Sequence, residues 1–293
     1  MRVFRKLVVA ILASICVVSA SAEDRPAAAC GKCVACQNVQ WRREDRWNVL
    51  ETNNFSIWSR LSQAQTMQLA CTAERLRASI RNLWQSTAED AQWPEKCILV
   101  LHANVREYQN AVKCGNNPSA GCTTITVNHG QVVFRRIDLR ADAADWQVNA
   151  LPHELTHVVL ADRFPEQNLP AWINEGLAMT AESSDLQRRR LQVLEVAHQQ
   201  GRRPALERIL NAESLAGFDT DVFYAVSYSV TEFLLNEEGG ADALLEFVEH
   251  SRTGHAAESL KKTYSIEAGI SELERKWLLA AIRNRQPGDL ASR

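Results

Sequence analysis

The chain has 293 residues, of which 46% are hydrophobic and 23% charged, with a formal net charge of -2. That length supplies one large core or two modest ones. The balanced charge lacks the basic stripe a nucleic-acid binder needs, and past the first residues no run approaches the ~20 apolar residues of a membrane span.

In chain order, residues 1 to 22 start with Arg2, Arg5 and Lys6, run apolar from 7 to 18, and end in Ala20-Ser21-Ala22. This is the order of a secretory signal, so we expect export to the periplasm or the medium with a mature N-terminus near Glu23. A lipid anchor on Cys16 is disfavoured, because Ile15 stands where a small residue is wanted. Residues 23 to 46 read as a tether carrying Cys30, Cys33 and Cys36 and the charged stretch Arg42-Arg43-Glu44-Asp45-Arg46. The cysteine cluster fits a local disulfide, a redox pair, a metal clip or a thiolate cap on a metal, and an oxidising compartment favours the disulfide. Farther on, Cys71 with Cys97 and Cys114 with Cys122 are the expected pairings. With Cys16 removed the count is odd, which leaves at least one cysteine without an intrachain partner.

Residues 47 to 150 read as an α/β sheet lobe. Strands are expected at 47–52 and 53–58, and Leu69, Ala73, Leu76, Ile80 and Leu83 have helical spacing within 62–84. A buried strand follows at 97–102. Alternation at 123–127 and 131–137 around Asn128-His129-Gly130 marks a hairpin. Residues 151 to 293 read as a helical lobe, with helices at 186–199, 205–211, 221–236, 241–251, 256–264 and 271–284. The expected fold class is α+β, a small N-terminal sheet lobe with a helix, then the helices that carry the motif described next and a helical C-terminal lobe, with the site between the lobes. Arg188-Arg189-Arg190 reads as a solvated helix start. His102, His129, His198, His250 and His255 lack ligand spacing and read as structural or surface residues. Trp172 and Trp277 read as packing residues, with Trp172 also placed to wall the cleft.

The chemistry is concentrated at His153-Glu154-Leu155-Thr156-His157. Two histidines four apart on a helix lie about 40° apart around its axis, so both imidazoles can face one metal ion. Glu154 sits one residue further round, where a carboxylate can take a proton from water at that metal. Eighteen residues beyond His157 comes Glu175, in Leu169-Pro170-Ala171-Trp172-Ile173-Asn174-Glu175-Gly176-Leu177-Ala178. A catalytic zinc takes three protein ligands and keeps one open position, and two His with one Glu is a known set. His153, His157 and Glu175 are therefore the expected ligands of one Zn2+.

HELTHVVL followed at this distance by LPAWINEGLA resembles the gluzincin metallopeptidases, most of all their small bacterial peptidase MA-like branch, with weaker similarity from Trp47 to Trp277. A metzincin would need Gly and His where this chain has Leu160 and Arg163, and the upstream cysteine motif of peptide deformylase is missing. The resemblance implies hydrolysis of a peptide or protein substrate, with Glu154 as general base. It further implies that the strand before the zinc helix, residues 131 to 137, forms the sheet edge that binds extended peptides. Tyr224 is similar to the tyrosine that steadies the oxyanion in the aminopeptidase branch, with Tyr228 on the same helix face as its substitute. The alternative is a catalytically silent relative that binds peptides or cell-envelope partners.

Overall fold

Strand-forming segments in the N-terminal half build a six-stranded sheet in the order β1-β2-β3-β4-β6-β5. The structure, a computed structural model, describes residues 39–85, 92–112, 119–165, 169–251 and 256–283. The expected leader, the Cys30, Cys33 and Cys36 cluster, and Cys114 lie outside the described residues. Strands β1 (Gln40–Glu44), β2 (Trp47–Glu51) and β3 (Phe55–Ser59) form an antiparallel meander. Residues 40–44 were expected to belong to the tether. Their charges mask a strand that forms because Trp41 and Arg42 pair with Leu50 and Val49 across a turn at Asp45, whose φ is 52°.

Helix α1 (Gln63–Trp84) starts on a capping box. The Ser62 hydroxyl accepts from the Gln65 backbone N–H, and the Gln65 side chain accepts from the Ser62 N–H. Its buried stripe runs through Leu69, Ala73, Arg77, Ile80 and Trp84, while Leu83 is 45% exposed. The apolar spacing located the helix but placed its last contact one residue early. Strand β4 (Cys97–His102) returns parallel to β3, and the seven-residue α2 (Val105–Ala111), too short to show a period, leads to the hairpin. Cys97 is a free thiol whose pKa burial pushes up, so the expected bridge to Cys71 is not formed.

The hairpin pairs β5 (Gly121–Asn128) with β6 (Gln131–Arg140) across His129 and Gly130, whose φ values of 48° and 71° suit a tight two-residue turn. Strand β6 also pairs with β4, so β5 is the edge of the sheet and β6 lies inside it. The sheet edge on this side is therefore residues 121–128 and not the expected 131–137.

The remaining elements are helices: α3 (Ala150–Arg163), α4 (Ala171–Thr180), α5 (Ser184–Gln199), α6 (Leu206–Leu210), α7 (Thr220–Asn236), α8 (Gly240–Ser251), α9 (Ala256–Tyr264) and α10 (Ile270–Arg283). Helix α3 packs on α1 and on β5 and β6, while α7 is covered by α4 and α5. Leu99 and Ile137 from the sheet, Leu151, Leu155 and Val158 from α3, and Val226 and Val230 from α7 belong to one continuous apolar cluster. Truncating a side chain such as Leu155 there costs ~2–5 kcal/mol. No helix among the described residues is long and apolar enough to cross a membrane.

Candidate metal centre

Helix α3 buries most of its surface. Leu151, Leu155, Thr156, Val158 and Val159 are fully enclosed, and the Thr156 hydroxyl is satisfied by the Pro152 carbonyl one turn back. Pro152 falls in the first turn, where its missing N–H breaks no helical bond. His153, Glu154 and His157 share the remaining side, and the two imidazoles stand 4.9 Å apart between ring centres, nearly perpendicular.

Helix α4 brings Glu175 to them. His153 Nε2 lies 3.4 Å from Glu175 Oε2, and His157 Nε2 lies 3.9 Å from Oε1. One ligand atom from each residue falls within 4.8 Å of the others. Donors at tetrahedral zinc, with bonds of ~2.0–2.1 Å, sit about 3.4 Å apart, so small side-chain shifts close this triangle on an ion.

The residues flanking Glu175 set its position. Asn174 Oδ1 lies 3.2 Å from His157 Nδ1, leaving Nε2 to face the carboxylate. Gly176 lets α4 settle onto α7: a Cβ there would stand 2.0 Å from Thr231 Oγ1 and 2.9 Å from the Ser227 carbonyl. Orientation, ligation and close approach thus come from three consecutive residues.

His153 is held from behind by two residues not foreseen from the sequence. Its Nδ1 lies 2.8 Å from Glu182 Oε1, and Arg190 donates to both Glu182 oxygens, at 2.8 and 2.7 Å. A carboxylate on the far nitrogen fixes the tautomer that offers Nε2 to a metal. Arg190 had been read with Arg188 and Arg189 as a solvated run, yet its side chain is only 17% exposed. The signal was there, since Arg190 lies four residues before Leu194 and seven before Ala197, on the buried stripe of α5. Glu182, in the loop after α4, had no comparable signature.

The electrostatics suit a cation. Burial opposes charge on His153, but the hydrogen bonds to Glu175 and Glu182 outweigh it and raise the imidazole pKa to about 10. Burial likewise opposes ionisation of Glu175 and Glu182, yet His153 holds both carboxyls below their ordinary range, with Arg190 helping at Glu182. Two imidazoles, a ligand carboxylate and acceptors behind each ring fit a divalent zinc-type ion.

Glu154 lies beside this triangle, 8% exposed, and its Oε2 accepts a 2.7 Å hydrogen bond from the Thr123 hydroxyl on β5. Gly121 gives it room, because a Cβ there would come within 2.8 Å of Glu154 Cγ. Tyr224, at the start of α7, has its ring under the Arg190 guanidinium at 5.4 Å, and burial together with the Glu175 charge pushes its phenol pKa up to about 12. The Tyr228 hydroxyl is turned to Glu232 at 3.3 Å instead, so of the two tyrosines Tyr224 is the one available to the site. Trp172 is 3% exposed and belongs to the core rather than to a cleft wall.

No curated protein matches the chain. The family described as Peptidase MA superfamily matches residues 79–282, from the last third of α1 into α10, a span that holds all three donors, Glu154 and Tyr224. Peptidases of this superfamily are typically metal-dependent, in keeping with the donor set on α3 and α4. With most of its length matched and that donor set inside the match, the chain belongs to the Peptidase MA superfamily, as a gluzincin-like member.

Proposed function

We propose that the protein is an exported zinc metallopeptidase that hydrolyses peptide bonds. The observation that carries the reading is the convergence of His153, His157 and Glu175 with Glu154 beside them, each imidazole backed by its own acceptor. His153, His157 and Glu175 would hold the zinc ion, which when bound would supply Lewis acidity toward water and the scissile carbonyl. Glu154 accepts the proton of the attacking water and returns it to the leaving amine. The Tyr224 hydroxyl, protonated near neutrality, donates a hydrogen bond to the oxyanion as charge develops there. The β5 edge, which no further strand pairs among the described residues, offers backbone groups on which an extended peptide can add as a further strand. A silent binding protein would have no use for a carboxylate lodged between Gly121 and Thr123 beside a metal triangle. Export is supported by the Arg2-to-Ala22 pattern, and the mature protein from its native host should begin near Glu23.

The test is metal content and turnover of a fluorogenic peptide library. Wild type and Glu154→Gln should both carry one zinc per chain, with the rate of Glu154→Gln lower by ~10²–10⁴. His157→Ala should lose the metal. Full zinc in His157→Ala, or an undiminished rate in Glu154→Gln, overturns the proposal.

A further inference from the structure

Thr123 is the point at which the edge strand meets the general base. Its backbone phase follows from one hydrogen bond. The Arg140 N–H donates to the Ala120 carbonyl at 3.0 Å, which makes 120 and 140 a hydrogen-bonded pair of the antiparallel ladder. Because such pairs alternate, Cys122 and Thr124 face β6, while Gly121, Thr123 and Ile125 turn their N–H and C=O groups to the open edge. The outward Gly121 carbonyl is already taken by the Ser119 hydroxyl at 2.7 Å. Pairing with an incoming strand can therefore begin at Thr123.

The side chain of the same residue points to the catalytic helix. Thr123 Oγ1 lies 2.7 Å from Glu154 Oε2 and 3.1 Å from the Glu154 carbonyl, and its single proton serves the shorter, charge-assisted contact. On the other side the Glu154 carboxylate is confined by Gly121, where a Cβ would stand 3.0 Å from Oε1. The carboxylate is thus wedged between two residues of the strand that presents its backbone to the edge.

We infer that Thr123 is a positioning residue that ties docking of a peptide strand on the β5 edge to the orientation of the Glu154 carboxylate. This rests on the peptidase reading and refines it. A peptide paired with the Thr123 N–H and C=O holds the strand, the strand holds the hydroxyl, and the hydroxyl holds the base. Docking then contributes to the rate of the chemical step as well as to affinity.

The experiment uses the full mature chain. Thr123→Val keeps the shape and removes the donor, whereas Thr123→Ser keeps the donor. Thr123→Val should lower kcat on the order of 30-fold with KM within about twofold, and Thr123→Ser should restore the rate to within about threefold of wild type. Zinc content should not change. A rise in KM with kcat intact, or failure of Thr123→Ser to restore the rate, overturns the inference. A second readout needs no turnover: the ¹³C resonance of the Glu154 carboxyl, assigned by its loss in Glu154→Gln, should move in Thr123→Val and stay in place in Thr123→Ser. Were wild type to cleave no peptide, the proposed function would fall while this resonance still decided the contact; an unmoved resonance in Thr123→Val rules the contact out.

Discussion

Two histidines in this protein, His102 buried and His153 half-buried, are held alike and are placed to do different things. His153 leans on Glu182, which Arg190 grips through both oxygens. His102, on β4, leans on Asp138 at 2.7 Å, which Arg136 grips in the same way, at 2.7 and 2.8 Å. The difference is what meets the rest of the ring. His102 is closed in edge-on by Trp47 and Tyr108, so its triad ties β4 to β6 on the outer face of the sheet. The Nε2 of His153, the nitrogen away from Glu182, instead faces Glu175 with His157 alongside. A histidine, carboxylate and arginine relay is therefore a local solution to burying a polar ring, and only the partner of the second nitrogen makes it part of a metal centre.

Removing each carboxylate in turn is the sharpest way to break this comparison. Asp138→Ala leaves Arg136 and His102 without their buried acceptor and should cost on the order of 3 kcal/mol. That corresponds to a melting point lower by roughly 10 °C in a domain of this size, with zinc affinity unchanged. Glu182→Ala should do the converse, lowering zinc affinity by ~10–100-fold in a chelator competition. Equal losses of zinc affinity in the two variants would erase the distinction.

The packing around the metal ligand gives a smaller effect. Gly176→Ala must displace Thr231 Oγ1 from 2.0 Å or lift α4 off α7, at a cost of roughly 2 kcal/mol. Because α4 carries Glu175, thermal unfolding and zinc content should fall together. A variant of wild-type stability that binds zinc normally would show that the two helices have slack.

Per pH unit, the smallest effect is in the proton balance. The raised pKa of His153, about 10, means that metal must displace a proton near neutrality. Apparent zinc affinity should accordingly rise about tenfold per pH unit from 7 to 9. The sign reverses for the metal-free fold: a raised histidine pKa stabilises it fully below ~6.5, and that contribution fades as pH climbs toward 10. Zinc affinity that does not vary over this window would mean that His153 holds no proton for the metal to displace.

Much of this was legible in the sequence because it rests on short-range periodicity. Four-residue spacing put His153 and His157 on one side of a helix, the apolar rhythm of the C-terminal half located its helices, and alternation around His129-Gly130 gave the hairpin. Glu175 was reachable as well, since its neighbours travel with it on one short helix. What the chain could not announce is which elements become neighbours. The place of β5 at the sheet edge, outside β6, follows from β6 pairing with β4, a contact between segments some 38 residues apart. Glu182 joins His153 only because the turn between α4 and α5 comes back to α3, with Arg190 reaching it from α5, and Thr123 meets Glu154 only because α3 lies across the hairpin. Local pattern fixes the direction in which a side chain leaves its own helix or strand, whereas the partner waiting there is decided by how the elements share one core.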